Sequence, residues 1–266
     1  MEGIFVEHVM QQGMAGLEAA AIILLFLAFL LYPLAAALTS LNFRPWPLYR
    51  CFLWSLGIFS IALVITGPIA EYAQDNFVGH MWTHLLLGML APLLLVLAMP
   101  MTLLLRSLPV SVARKVSWLL KSKPFQLISN PITALILNIG GLYVLYLTSL
   151  FEWMHQSTIV YFIVHLHVFL AGYLFTASIV YIDLTAHRLS YLFRSIILII
   201  SLAAHKILSK IIYADPPAGV PQEQGEAGGQ VMYYGGDFVE LLLIIILCSQ
   251  WYKATAPRKG ESVEEA

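Results

Sequence analysis

Seven runs of mostly apolar residues follow one another along this chain, most of them about 20 residues long, which is the length a helix needs to cross a bilayer. They cover residues 13–38, 49–69, 77–105, 132–150, 158–182, 190–213 and 236–251, the last with a few residues before it. No stretch between them is long enough for a soluble domain. The composition agrees: 60% of the residues are hydrophobic and only 11% are charged, where a soluble domain carries about 25%. The expected fold is therefore all-α, a polytopic bundle of seven transmembrane helices over residues 1–252, with a polar tail at 253–266. The connection 106–131 has room for an interfacial helix near 112–120. The connection 214–235 is rich in Pro, Gly, Gln and Glu and reads as a loop in water.

The charges orient the bundle. Arg44, Arg50, Arg106, Arg114, Lys115, Lys121, Lys123, Arg188, Arg194, Lys253, Arg258 and Lys259 all fall at alternate ends of the runs. The opposite connections hold Glu71, Asp75, Glu152, Asp215, Glu223 and Glu226 and no Lys or Arg. The positive-inside rule then puts the N-terminus outside and the C-terminus in the cytoplasm, as an odd number of spans requires. Glu2 and Glu7 stand where a cleavable signal peptide would carry basic residues. A net charge of −1 points to no nucleic-acid partner. Cys51 and Cys248 form no CxxC pair, so neither a disulfide nor a thiolate metal site is expected.

Histidines at membrane depth are the features a mere lipid-spanning bundle does not need. His80 and His84 open the third run four residues apart, on one helix face. At ~1.5 Å per residue, His84 lies roughly 10 Å below the outer end, and His165 in the fifth run and His205 in the sixth reach similar depths. One buried histidine is more often a packing residue than a ligand. Three or four at one level favour metal binding, because polar groups there are costly and face a bundle interior and imidazole suits copper, zinc, iron and nickel. Met81 and Met232 could add thioethers, which suit Cu(I), although Met also serves as a gap-filler. His167 is expected to point elsewhere, His8 and His155 to lie in outer aqueous regions, as entry ligands or without a role, and His187 in an inner basic loop. Lys206 and Lys210 face Asp237 and Glu240 across the last two helices, as interhelical ion pairs would. Asp237 is also a candidate acceptor behind a ligating histidine. Ala91-Pro92 is expected to kink the third helix, and Gly67-Pro68 to end the second.

The chain resembles the CtaG family of bacterial cytochrome c oxidase assembly factors. The resemblance is carried by GHMWTHLLLGMLAPLLLVLAMP in the third run, VHLHVFLAGYLF followed by YIDLTAHR around the fifth, AHKILSKIIYA in the sixth and VMYYGGDFVELLL entering the seventh. It runs from about Gly67 to Tyr252. It departs from many relatives in lacking a second proline after Pro92 and in reading ID at Asp183. By position, the family's recurrent polar residues fall on His80, His84, His165, His205 and Asp237. The resemblance implies a role in producing active haem–copper oxidase, by handling its copper.

The expected function is that of a non-enzymatic assembly factor of the bacterial plasma membrane. It would bind copper, as Cu(I), through His80, His84, His165 and His205, with Asp237, Met81, Lys206, Lys210 and Glu240 as auxiliary groups. Its partners would be an oxidase subunit or a copper chaperone, within membrane lipid. A copper permease would need ligands through the inner half, where LLLGMLAPLLLVLAMP and FTASIVYI offer few. A b-type haem carrier would need paired axial histidines on facing helices. His84 with His165 or His205 could serve one haem but not a second, deeper one. A retinal protein would need a lysine in the middle of the seventh helix, and there is none. A purely structural bundle is the remaining alternative.

Overall fold

The computed structural model describes residues 2–66, 68–183 and 188–256. Among the described residues it is all-helical. In chain order the helices are α1 (Glu2–Asn42), α2 (Leu48–Thr66), α3 (Pro68–Asp75), α4 (Phe77–Ala98), α5 (Pro100–Ser107), α6 (Val110–Leu120), α7 (Lys123–Ile128), α8 (Pro131–Leu147), α9 (Leu150–Gln156), α10 (Thr158–Ile179), α11 (Tyr191–Ala214) and α12 (Gln222–Thr255). Among the described residues six are long and apolar enough to cross a membrane, and the pair α8 and α9, bent by 77°, makes seven if it is counted as one span. The expected positions Gly67, His187, Arg258 and Lys259 lie outside the described residues, as does the side chain of His8.

α4 is the centre of the bundle. Buried residues make up 72% of its apolar window, against 11% for α1 and 39% for α11. Its neighbours are α2, α3, α10 and α12, and they come close because small residues face the contacts. A Cβ on Gly172 of α10 would lie 2.0 Å from the Gly88 carbonyl oxygen of α4. On α12, a Cβ on Gly228 would lie 2.6 Å from the Phe77 ring, and one on Gly229 would lie 2.8 Å from the Ser209 carbonyl oxygen.

These glycines explain the main departure from the sequence reading. Most of the connection 214–235 is not a loop: α12 starts at Gln222 and runs 34 residues without a break. Gly225, Gly228, Gly229 and Gly236 are all buried. At spacings of three, four and seven residues, they form one helix face on which neighbours lie close. The composition that suggests a turn serves here as a packing stripe.

Pro92 is accommodated by a slipped hydrogen-bond ladder. Residues Leu85–Leu90 of α4 are π-helical, and the Ala91 N–H reaches back five residues to the Leu86 carbonyl. Pro92 has no N–H to offer the Gly88 carbonyl four residues before it, and it is this carbonyl that lies against Gly172. A second π-helical turn, Ile136–Gly140, interrupts α8. The helix expected near 112–120 is present as α6, with Val110, Trp118 and Leu119 exposed.

At the end of the bundle rich in basic residues, charged side chains tie loops together. Asp183 accepts from the Met101 and Thr102 N–H groups at 2.8 and 2.9 Å, just past the left-handed Met99 that separates α4 from α5. Arg194 is buried in α11, where it donates to the Ile179 carbonyl at 2.6 Å and stacks on Tyr181 and Tyr191. Arg106 donates to the Thr39 and Arg44 carbonyls. On α1, the buried Tyr32 donates to the Ala98 carbonyl at 2.5 Å and accepts from the Trp46 indole at 3.1 Å.

Replacing Gly172 with Ala should separate α4 from α10, since its new methyl group meets backbone rather than a flexible side chain. The expected cost is ~1–3 kcal/mol, the usual penalty of overpacking. It should appear as a lowered thermal unfolding midpoint in detergent, and Ala at the unobstructed Gly140 is the control.

Candidate metal centre

The histidines gather in two tiers inside the bundle. The deeper tier joins three helices. His84 of α4 and His205 of α11 bring their Nε2 atoms within 3.5 Å, with ring centres 5.8 Å apart. Behind His205, Glu240 of α12 places Oε1 3.1 Å from Nδ1, at ion-pair distance though off the line of a hydrogen bond. All three side chains are buried, with His84 at 4%, His205 at 2% and Glu240 at 6% exposure. His84 Nδ1, His205 Nδ1 and Glu240 Oε2 lack hydrogen-bond partners. Among the described residues, Glu240's ion-pair partner is His205. A carboxylate so enclosed needs a proton of its own or positive charge beside it.

Glycine makes the approach of α12 possible here too. A Cβ on Gly236 would lie 2.5 Å from His205 Cε1. Glu240 is one turn further along the same face of α12, which is what aims its carboxylate at the imidazole. Beside the pair lies a cavity of about 30 Å³, lined by His84, His205, Glu240, Asn138, Thr176 and Ser201 among others. It has room for a water or two. The π-helical turns of α4 and α8 flank it through Gly88, Met89, Asn138 and Ile139.

The upper tier lies one turn above. His80 of α4 sets Nε2 3.0 Å from the Tyr146 hydroxyl of α8. Its ring centre is 6.0 Å from that of His165 on α10 and 6.3 Å from that of His155 on α9. Phe77 and Phe151 pack against it. Above this tier a vestibule of about 500 Å³ is lined by His80, His155, Glu152, Asp75, Asn76 and Gln224, among others. Among the described residues, no three His, Cys, Asp or Glu side chains are placed so that they could hold one metal ion, so the four expected histidines do not form a single site.

Of the four expected ligands, the structure pairs His84 with His205, and sets His80 beside His165. The common depth expected from helix rise holds closely for His84 and His205, on helices that run in opposite directions. His165 sits half-buried beside His80, with Nδ1 2.8 Å from the Tyr161 carbonyl oxygen. Asp237 is not the acceptor behind a histidine. It pairs with Lys206, because Lys206 follows His205 and so points some 100° round α11, away from the interior. Lys210 stands over the Tyr233 ring rather than a carboxylate. Met81 and Met232 are fully buried in an apolar cluster with Leu208 and Ile212. His167 turns to α8, where it contacts the Leu137 carbonyl and Gly141. Tyr146 is the member that sequence reasoning misses, since a tyrosine among apolar residues carries no motif. The placing of Glu240 has a signal, its helical spacing from Gly236.

Taken together, these features define a polytopic helical membrane protein with a histidine-lined interior. The profile of the cytochrome c oxidase caa3 assembly factor (Caa3_CtaG) family matches residues 19–254. The chain belongs to that family. It is also similar to uncharacterized proteins of Mycobacterium bovis and Mycobacterium tuberculosis, each 35% identical over 170 residues, covering 58% of this chain and 25% of theirs. An uncharacterized protein of Mycobacterium leprae is 31% identical over 157 residues, covering 54% of this chain and 23% of its own. The chain thus spans about a quarter of the length of these curated relatives. No solved structure matches it.

Glu240→Ala should cost ~1–3 kcal/mol, because it removes the polar group beside the buried His205 Nδ1. Glu240→Gln keeps the shape and an acceptor oxygen, and should cost less. Thermal unfolding of the two variants side by side in detergent checks the order.

Proposed function

We propose that this assembly factor acts without catalysis, by binding copper, as Cu(I), between His84 and His205 and supporting its delivery to a cytochrome c oxidase subunit. The observation that carries this reading is the meeting of two Nε2 atoms in a sealed site. Two nitrogens that each lie ~2 Å from one ion are ~3–4 Å apart, and these are 3.5 Å apart. Glu240 supports it from behind, since a carboxylate at the far nitrogen of a ligating imidazole selects the tautomer and raises basicity. A monovalent cation next to Glu240 also supplies the positive charge that a buried carboxylate calls for.

In this reading the N-terminus is outside, the vestibule opens to the outer side of the bacterial plasma membrane, and the C-terminus is cytoplasmic. The copper would come from an outer copper chaperone or go directly to the oxidase subunit. One feature favours delivery at one face over a permease. Beyond the deep cavity, Leu93, Phe175, Ile179, Ile197, Leu198 and Leu243 form a buried apolar cluster, with the Met89 thioether packed against it.

The test is metal analysis of protein purified from copper-supplemented cells. Wild type should carry stoichiometric copper, His84→Ala and His205→Ala should lose the copper of this site, and oxidase activity in cells should fall with it. Glu240→Gln should weaken affinity ~10–100-fold, the usual effect of removing such an outer partner. Equal copper in wild type and both histidine variants would sink the assignment.

A further inference from the structure

We propose that α6 and α7 form a docking surface for anionic phospholipid headgroups, lying along the membrane at the end of the bundle rich in basic residues. This surface is independent of the copper site; only its assignment to the inner leaflet takes the orientation proposed above. The segment is held at the edge of the bundle from both sides. Before it, Arg106 of α5 donates to the Thr39 and Arg44 carbonyls, where α1 ends. After it, Asn130 caps α8 by accepting from the Ile132 N–H at 2.9 Å, and the fourth span begins at Pro131. Both ends of the segment thus lie where spans leave the lipid.

The two helices turn apolar residues outward as well as charges. No residue of α6 or α7 is buried. Val112, Trp118, Leu119, Leu127 and Ile128 are exposed, Trp118 at 74%. In water such a patch is costly, whereas at a bilayer surface it enters the boundary between headgroups and acyl chains. On α6, Val112 and Leu119 lie seven residues apart on one side, with the half-buried Val116 and Leu120 beside them. Arg114, Trp118 and Lys121 follow one another, four and three residues apart, on the opposite side. This is the pattern of a helix lying in the interface, its apolar side in the acyl boundary and its cations among headgroups. An indole is itself enriched at headgroup level, and Trp118 stands there beside the cations.

The charges favour an anionic headgroup over a neutral one. Arg114, Lys115, Lys121 and Lys123 are exposed and form no ion pair among the described residues. The chain holds no Asp or Glu from residue 76 to residue 151. At the same end of the bundle, Asp183 accepts from the Met101 and Thr102 N–H groups instead. Basic residues after a span orient a membrane protein whatever their later surroundings. Here the fold goes further, setting four of them, unpaired, on and between two short helices that also carry exposed apolar side chains. Each basic residue near an anionic membrane surface strengthens attraction ~5-fold.

Tryptophan quenching of the full chain in nanodiscs tests this. The discs hold equal parts of phosphatidylcholine and phosphatidylglycerol, with bromine on the acyl chains of one lipid or of the other. The difference in emission between wild type and Trp118→Phe isolates Trp118 from the other tryptophans. Bromine on phosphatidylglycerol should quench this emission more strongly, and the excess should fall as salt rises. Combining Arg114→Gln, Lys115→Gln, Lys121→Gln and Lys123→Gln should remove the excess while bromine on either lipid still quenches. Its thermal unfolding midpoint should not change, because no buried contact is lost. Lys121→Gln with Lys123→Gln alone should leave part of the excess. Equal quenching by the two lipids in wild type, or an excess that survives the combined variant, overturns the headgroup site. No quenching by either lipid places α6 clear of the membrane and overturns the docking surface as a whole. Copper content should be the same in wild type and the combined variant, so either reading can fail while the other stands.

Discussion

A carboxylate and two imidazoles enclosed at membrane depth are the constraint on which the rest of this bundle depends. Lipid offers no hydrogen bonds, so polar groups there must find their partners within the protein. His84, His205 and Glu240 come from three different helices, and enclosing them requires α4, α11 and α12 to pack closely. The glycines are the means. Gly236 admits His205, Gly229 lets α12 lie on α11, and Gly228 admits Phe77 at the head of α4. Where α4 meets α10, Gly88 and Gly172 bring backbone against backbone. The central position of α4 follows from this, since it carries both His80 and His84 and has small residues facing it from two sides.

Much of this was legible in the sequence. Length and apolarity are local properties, and they mark the spans to within a few residues at most ends. Helix rise predicts that His84 and His205 lie at one level, because depth along a straight helix depends on residue count alone. Rotation about the helix axis is harder to read. Asp237 and Glu240 are both acidic and three residues apart, and only the direction in which α12 faces α11 decides that Glu240 meets the histidine and Asp237 meets Lys206. The mistaken loop at 214–235 has a similar cause. Glycine breaks helices in water because its backbone entropy is unopposed, but in a packed bundle the same absence of a side chain permits contact that repays the cost. Tyr146 was invisible because its role depends on the rotation of α8, a helix with no other polar marker at that level.

The broken fourth span also has a physical reason. α8 ends at Leu147, and Thr148 turns its hydroxyl back to the Val144 carbonyl while accepting from the Leu150 N–H. This satisfies backbone groups that a straight helix would have bonded, and lets α9 leave the axis. The turn carries Glu152 and His155 across the top of the bundle instead of out of it. A continuous helix would have placed both beyond reach of His80. The bend is thus what forms the vestibule wall.

The two tiers differ chiefly in enclosure, and that difference bears on how an ion would reach the lower one. The upper tier faces a cavity of about 500 Å³, whereas the lower adjoins about 30 Å³. A cation in the vestibule keeps part of its water, so its entry there is weakly opposed by desolvation. In the lower tier it loses that water, and the cost must be met by ligands and by a counter-charge. Glu240 supplies that charge at the lower tier. Glu152 and Asp75 stand at the mouth, where water screens them. A cation taken up as proposed would feel screened attraction at the mouth and unscreened attraction below, and so would be held more tightly at the lower tier. Release would then require something to disturb the His205–Glu240 contact, and this contact lies at the seam between α11 and α12. A partner that shifted α12 by a fraction of a turn would move the carboxylate and the packing of Gly236 against His205 together, because both sit on the same face of that helix.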